Sequence, residues 1–285
     1  MKDTYLLDNY SINFNGNLLN LNTPIVMSIL NTTPDSFFDG GKYNSLEEAL
    51  KKVEKDLESG ATIIDIGGYS TKPNGHEVSL EEEIKRTIPY IEAIIKRFPN
   101  VNLSIDTFRG KVASLALQAG AGMINDISAW NIDDEMIKVV SKYKVPYVLM
   151  HMRGKPKTMQ NQPHYDNLIK DILDFLVKKI DILKSNGLKD IIIDPGFGFG
   201  KTIAHNYSIL SNLNCFKLLK LPILVGISHK SMIYKKLKIS KLDTLNGTTA
   251  LNMYSLSKGA KILRVHDVKE AMECIKLSEA INKNY

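Results

Sequence analysis

Ile191-Ile192-Ile193-Asp194-Pro195-Gly196-Phe197-Gly198-Phe199-Gly200-Lys201 is a β-branched run that ends abruptly in a carboxylate, then a proline and alternating glycines. Such a run reads as a fully buried parallel strand that delivers an acid to the rim of a sheet. The glycines do not make a nucleotide loop. A phosphate-binding loop needs glycine where Pro195 stands, and a dinucleotide fingerprint needs its third glycine where Lys201 stands. A lone strand-end aspartate is as often a helix cap as a functional group. Here the arrangement recurs along the chain.

Outward from that stretch, apolar strands, polar strand ends, loops and amphipathic helices return about every 35 residues, the rhythm of βα units. Eight strands are expected, at 25–30, 62–66, 101–105, 123–127, 146–150, 191–193, 222–225 and 261–265. Ser45-x-x-Glu48 and Ser79-x-x-Glu82 resemble capping boxes. Leu46, Leu50, Val53 and Leu57 form an apolar face that stops at Gly60; Leu168, Ile172, Phe175, Leu176 and Leu183 form another, closed by Gly187. Pro89 should kink the helix that follows Ser79. Before all this, Ser11 to Leu19 reads as a hairpin turning at Asn15-Gly16. Eight βα units in a chain of this length predict an α/β fold, a closed (β/α)8 TIM barrel, spanning residues 24–285 behind an N-terminal hairpin extension, residues 1–23.

The composition fits such a domain. Of 285 residues, 44% are hydrophobic and 24% charged, with a net charge of +6. The lysines are scattered and no basic run with interleaved aromatics occurs, which argues against a nucleic-acid partner and suits anionic small molecules. Cys215 and Cys274 stand alone, without zinc spacing, as in a reducing compartment. No signal segment follows Met1 and no apolar run is long enough to span a bilayer, so a cytoplasmic location without membrane attachment is expected.

In a (β/α)8 barrel the active site is built from the C-terminal strand ends. These carry Asn31; Gly67, Gly68 and Thr71; Asp106; Asn125 and Asp126; His151; Asp194; Ser228 and Lys230; Arg264 and His266. Acids and amides therefore face cations and hydroxyls. The set suits a ligand with two unlike ends, a planar heterocycle read by carboxylate and amide and a phosphate-bearing tail held by cations. No dedicated metal spacing is present, yet Mg²⁺ carried by a phosphorylated substrate needs only one or two protein oxygens. No Gly-x-Ser-x-Gly elbow supports serine catalysis.

Several motifs, in order and from about Pro24 to the last helix, resemble those of the dihydropteroate synthases. They are Asn31-Thr32-Thr33-Pro34-Asp35-Ser36-Phe37 with Asp39-Gly40-Gly41, Asp65-Ile66-Gly67-Gly68 with Ser70-Thr71-Lys72-Pro73, and Ser104-Ile105-Asp106-Thr107. Ile124-Asn125-Asp126, Met150-His151-Met152, Asp194-Pro195-Gly196-Phe197-Gly198, Ser228-x-Lys230-Ser231 and Arg264-Val265-His266-Asp267 complete the set. The resemblance implies a barrel enzyme, usually a homodimer, that joins hydroxymethyl-dihydropterin pyrophosphate to para-aminobenzoate. The products are dihydropteroate, a folate precursor, and pyrophosphate, and sulfonamides block the step.

By position, the resemblance implies that Asp194 and Asn125 meet the amino and ring-nitrogen edge of the pterin, Asp106 another ring N–H, and Lys230 the carbonyl side. Arg264 stacks on the ring, with Asp106, Lys230 and Arg264 as the catalytic group. His266 and Asn31 meet the pyrophosphate, Asn31 through Mg²⁺. Thr71, Lys72 and Pro73, with the Asp39-Gly40-Gly41 loop, close over the second substrate. Phe199 and Pro73 bracket its ring, and Ser228, at a helix start, receives its carboxylate. Two positions depart from the family's pattern. Lys72 and His229 stand where arginines are usual, which predicts a raised KM for one substrate through Lys72 and a helix-facing His229 without a role. Rival readings are a pterin-binding methyltransferase domain, a Schiff-base aldolase using Lys201 or Lys230, and a non-catalytic pterin-binding barrel. An apolar face on the last helix, Val268, Ala271, Met272 and Ile275, suits either a dimer contact or burial against the barrel.

Overall fold

The computed structural model describes residues 10–32, 45–69, 77–154, 159 and 163–282. Two short strands, β1 (Ser11–Phe14) and β2 (Asn17–Asn20), pair antiparallel as the expected hairpin. Asn15 and Gly16 both take positive φ, 50° and 88°, as a two-residue primed turn demands.

Eight parallel strands follow: β3 (Ile25–Asn31), β4 (Ile63–Gly67), β5 (Leu103–Asp106), β6 (Met123–Asp126), β7 (Tyr147–Met150), β8 (Ile191–Asp194), β9 (Leu224–Val225) and β10 (Ile262–Val265). Each lies within a residue or two of its expected place. Their order around the sheet is β8-β7-β6-β5-β4-β3-β10-β9. A single parallel bridge, Ile193 to Ile223, joins the two ends and closes the barrel. Around it run α1 (Ser45–Glu58), α2 (Leu80–Arg97), α3 (Gly110–Gln118), α4 (Glu135–Tyr143), α5 (Leu168–Ser185), α6 (Ile203–Ser211), α7 (Ser231–Leu237), α8 (Leu245–Ser257) and α9 (Val268–Asn282). No described helix is long and apolar enough to cross a membrane.

The period-two alternation of the strands separates two cores. Outward residues such as Ile64, Ile66, Leu103, Ile105, Ile124 and Leu149 meet the helices. Inward residues Met27, Ile63, Met123, Val148, Ile192, Leu224 and Ile262 fill the lower barrel, where Ile12 and Phe14 of the hairpin pack against them. The hairpin thus plugs the bottom. It approaches so closely that a Cβ at Gly122 would stand 2.5 Å from the Phe14 ring.

Helix faces and ends follow the sequence with local differences. Leu50 and Val53 are buried under α1, and Ile172, Leu176 and Leu183 under α5. Gly60 and Gly187 end these helices with φ of 103° and 81°. Ser79 caps α2 by accepting from Glu82 N at 3.1 Å. The other half of the expected box is not made, because the Glu82 carboxylate pairs with Arg86 one turn on at 2.7 Å. The side chain of Ser45 lies outside the described residues. A reciprocal box forms instead at Thr202 and His205, at the start of α6. The helix α2 continues through Pro89 to Arg97. On α9, Val268, Ala271 and Ile275 are buried against the barrel and Met272 packs beside Gly60, so that face is core.

Candidate active site

The inward-facing strand ends meet at the mouth. By register Asn31 at the top of β3, Gly67 on β4, Asp106 on β5 and Asn125 on β6 stand level, and Met150 on β7 stands level with Asp194 on β8. Asp65 lies two residues below Gly67 on β4, level with Ser104, and Arg264 on β10 is level with Met27 on β3.

The charged groups interlock. Arg264 Nε donates to Asp65 Oδ2 at 2.7 Å, and its Nη2 donates to Asp106 Oδ2 at 2.6 Å. Asn125 Nδ2 donates to the same Asp65 Oδ2 at 2.9 Å. Burial raises the Asp106 carboxyl to about 7, with Arg264 pulling it down and Asp65 pushing it up. Arg264 itself stays charged, since the two carboxylates outweigh its burial and raise its pKa. Asp65 was not singled out from the sequence. Its signal was present, a carboxylate in an otherwise apolar strand at the inward parity, two residues below Gly67.

Across the mouth, Lys230 donates to the Phe197 carbonyl and lies 4.8 Å from the centre of the Phe199 ring. Burial lowers its ammonium to about 8, while Asp194 and Asp106 pull it up and Arg264 pushes it down. The Asp194 carboxyl is raised by burial and steadied by Lys230 and by the Gly196 N–H, which donates to its Oδ1 at 2.7 Å. Asp106, Asp194, Lys230 and Arg264 therefore act on one another through space, and Asn125 joins them through Asp65.

The glycines of the β8 loop have a steric reason. A Cβ at Gly196 would lie 1.9 Å from the His151 carbonyl oxygen, and one at Gly200 would lie 2.3 Å from that of Arg153. Both residues take positive φ, 75° and 63°. Under this loop the buried Lys201 donates to the Phe199 and His151 carbonyls at 3.0 and 3.1 Å and meets His151 Nδ1 at 3.0 Å. Burial drops Lys201 to about 7 and His151 to about 2, so the imidazole is neutral and accepts. His151 is thus a support behind the loop rather than a group in the mouth.

Other expectations shift. Asp126 turns outward, where its carboxylate accepts from Ser128 N and Oγ and Trp130 N, each at 2.8 Å, and from the Tyr147 hydroxyl at 2.6 Å. It anchors the turn after β6, because it is one residue out of phase with Asn125. The helix expected at Ser228 begins three residues later, at Ser231. Ser228 Oγ instead shares a 3.1 Å hydrogen bond with His266 Nδ1 and accepts from His266 N, tying the ends of β9 and β10 together. His229 faces the helices as expected, between Thr244 and Asp267, with its Nε2 2.7 Å from Asp267 Oδ2. Thr71, Lys72 and Pro73, and the Asp39-Gly40-Gly41 loop, lie outside the described residues.

Among the described residues no three His, Cys, Asp or Glu side chains converge as a metal-holding group. The amide oxygen of Asn31 at the rim fits a cation that arrives with a diphosphate and keeps most of its ligands from phosphate and water.

The pterin binding enzyme family matches residues 27–266. A dihydropteroate synthase of Escherichia coli is 43% identical over 277 residues, covering 95% of this chain and 98% of its own. The crystal structure of the Yersinia pestis dihydropteroate synthase in complex with a sulfonamide drug superposes with a TM-score of 0.91 at 42% identity, covering 96% of this chain and all of that one. The dihydropteroate synthase of Xanthomonas albilineans in complex with 7,8-dihydropteroate gives 0.88 at 35% identity, over 97% of this chain.

Proposed function

The chain belongs to the pterin binding enzymes and, among them, to the dihydropteroate synthases, and on that premise we propose how its barrel mouth divides the work. The reaction joins hydroxymethyl-dihydropterin pyrophosphate to para-aminobenzoate, giving dihydropteroate and pyrophosphate in folate biosynthesis. The linked set Asp65, Asp106, Asn125 and Arg264 facing Asp194 and Lys230 carries the assignment of residues. Asp106, Asn125 and Asp194 hold the donor edge of the pterin, Lys230 its carbonyl side, and Arg264 lies against the ring face. A buried site built to pair these groups rejects rings that lack them, since its own polar atoms would be left unpaired.

His266 and Asn31, at the rim, take the diphosphate. Asn31 would hold Mg²⁺ brought by that substrate, an ion that neutralises charge on the leaving oxygens when bound. The bond between the pterin methylene carbon and the diphosphate oxygen breaks first, and the electron pair leaves with the oxygen. The electron-rich dihydropterin ring delocalises the developing cation, and Asp106, ionised above about pH 7, faces that ring and stabilises the charge. The arylamine nitrogen then donates its lone pair to the methylene carbon and loses a proton to solvent. Neither Lys230 nor Lys201 forms a bond to substrate. Phe199, with Pro73, brackets the aminobenzoate ring; Thr71 and Lys72 close over it; Ser228, held by His266, offers a hydroxyl to the anionic groups.

We read residues 24–285 as the pterin-binding unit and 1–23 as its extension. A homodimer is supported by the exposed apolar side chains Leu237, Ile239, Leu242, Leu245 and Tyr254 gathered around α7 and α8. Cys215 and Cys274, both free thiols, suit a cytoplasmic location. Dihydropteroate should form only with both substrates, while slow pyrophosphate release with the pterin substrate alone is compatible with a bond that breaks before the amine attacks. A rate of pyrophosphate release that rises steeply with the nucleophilicity of the arylamine, or a borohydride-trapped adduct on Lys230 or Lys201, would remove the dissociative transfer described.

A further inference from the structure

On β4 the alternation that sends Ile64 and Ile66 to the helices sends Ile63, Asp65 and Gly67 into the barrel. Asp65 is wholly buried, one level below the rim. A carboxylate there is tolerated only with donors in place. Both donors given by the described residues fall on Oδ2: Arg264 Nε at 2.7 Å and Asn125 Nδ2 at 2.9 Å.

The two contacts constrain more than charge. An amide side chain has one donor end and one acceptor end of nearly the same shape, and either can face a ligand unless something holds it. An ionised carboxylate only accepts, so Asn125 must turn its nitrogen to Asp65 and its Oδ1 the other way. Arg264 is likewise pinned at two edges, Nε on Asp65 and Nη2 on Asp106. Its plane cannot rotate without breaking one of them.

We infer that Asp65 is the positioning residue that sets the hydrogen-bond polarity of the ring pocket, presenting an acceptor from Asn125 and so selecting pteridines that carry an amino group over those that carry an oxo group in its place. Asp65 does this from beneath, without touching the substrate. The inference rests on the mouth being the pterin pocket, as proposed above.

Asp65→Leu removes the constraint, because it keeps the branched shape but leaves the Asn125 amide without the acceptor that orients it. Calorimetric titration with hydroxymethylpterin and hydroxymethyl-lumazine compares an amino group with an oxo group on one scaffold. The wild-type preference for the pterin should shrink about tenfold in Asp65→Leu, the loss expected when one hydrogen-bond polarity is no longer enforced. Asp194, still an acceptor, preserves the remainder. Adding Asn125→Asp to Asp65→Leu should restore the preference, since the carboxylate introduced at position 125 presents only acceptors. Equal weakening for both rings, or no restoration in the double variant, overturns the inference. Should Asp65→Leu fail to fold, proton exchange of the Asn125 side-chain amide in the wild-type chain decides. Protection from solvent supports the bond to Asp65; free exchange overturns it. A wild-type chain that binds neither ring would instead remove the pocket assignment.

Discussion

Arg264 Nη2 lies 2.6 Å from Asp106 Oδ2 although β10 and β5 are separated around the barrel by β3 and β4. The arginine side chain spans those two strands and joins Asp106 to Asp65 on the way. Lysine has the charge for this but not the fork. In Arg264→Lys one ammonium cannot meet both carboxylates at their present edges, and Asp65 or Asp106 is left buried with a weaker partner. The variant should lose about a hundredfold in kcat/KM and about 3 kcal/mol of unfolding free energy. Steady-state kinetics and urea unfolding measure the two losses, and a full retention of both would show that the fork is dispensable.

Asp106 gives a pH signature. Its carboxyl rises from an ordinary value of 3.8 to about 7, chiefly through burial. Binding that needs the ionised form should make kcat/KM for the pterin substrate climb through about pH 7, and Asp106→Asn should lack that limb. The same shift carries a stability sign. Between about pH 4 and pH 7 the native chain holds a proton that the unfolded chain has released, so this group lowers stability as pH rises through that window. Thermal unfolding of the wild type against Asp106→Asn should diverge there, and parallel curves would remove the assignment.

Gly196→Ala should be severe. The added Cβ falls 1.9 Å from the His151 carbonyl oxygen at a φ of 75°, and the same residue's N–H holds Asp194. A loss of about 3 kcal/mol or more is expected, together with activity. Gly226→Ala is the contrast, because its Cβ would come no nearer than 3.8 Å to Arg264. Its unfolding free energy should stay within about 1 kcal/mol of wild type. Chemical denaturation of the pair separates a steric requirement from a general intolerance of the mouth.

Lys201→Met tests the support behind the loop. The substitution keeps the length of the side chain and leaves two carbonyls and His151 Nδ1 without their donor. Stability should fall by about 2 kcal/mol. The KM for para-aminobenzoate should rise as Phe199 loses its fixed carbonyl, with a smaller change for the pterin substrate. An equal rise for both substrates would mean that Lys201 steadies the whole mouth rather than the Phe199 turn.

The eight strands and their polar ends were readable because each depends on short-range pattern. A run such as Ile191 to Asp194 is apolar on both faces, and only its last residue is polar. Asp194, Asn125 and Asp106 could be placed at a common rim from that pattern alone. The roles of their neighbours could not. Asp126 and Asn125 are adjacent in sequence, yet one holds a turn on the outside and the other faces the ligand mouth. Asp65 was hidden by lying below the strand end, where residues are usually core.

By itself, then, the amino-acid order determined the succession of βα units, the hairpin turn at Asn15 and Gly16, and which strand ends bear charge, since backbone preference and side-chain alternation act over a few residues. Only the folded barrel decided that Asp65 reaches Arg264 across 199 positions of chain, that Ser228 is bound to His266, and that Lys201 is sealed behind its own loop. Those pairings arise from the stagger of neighbouring strands and from closure between Ile193 and Ile223. Both are set by packing among segments far apart in sequence, which no local period records.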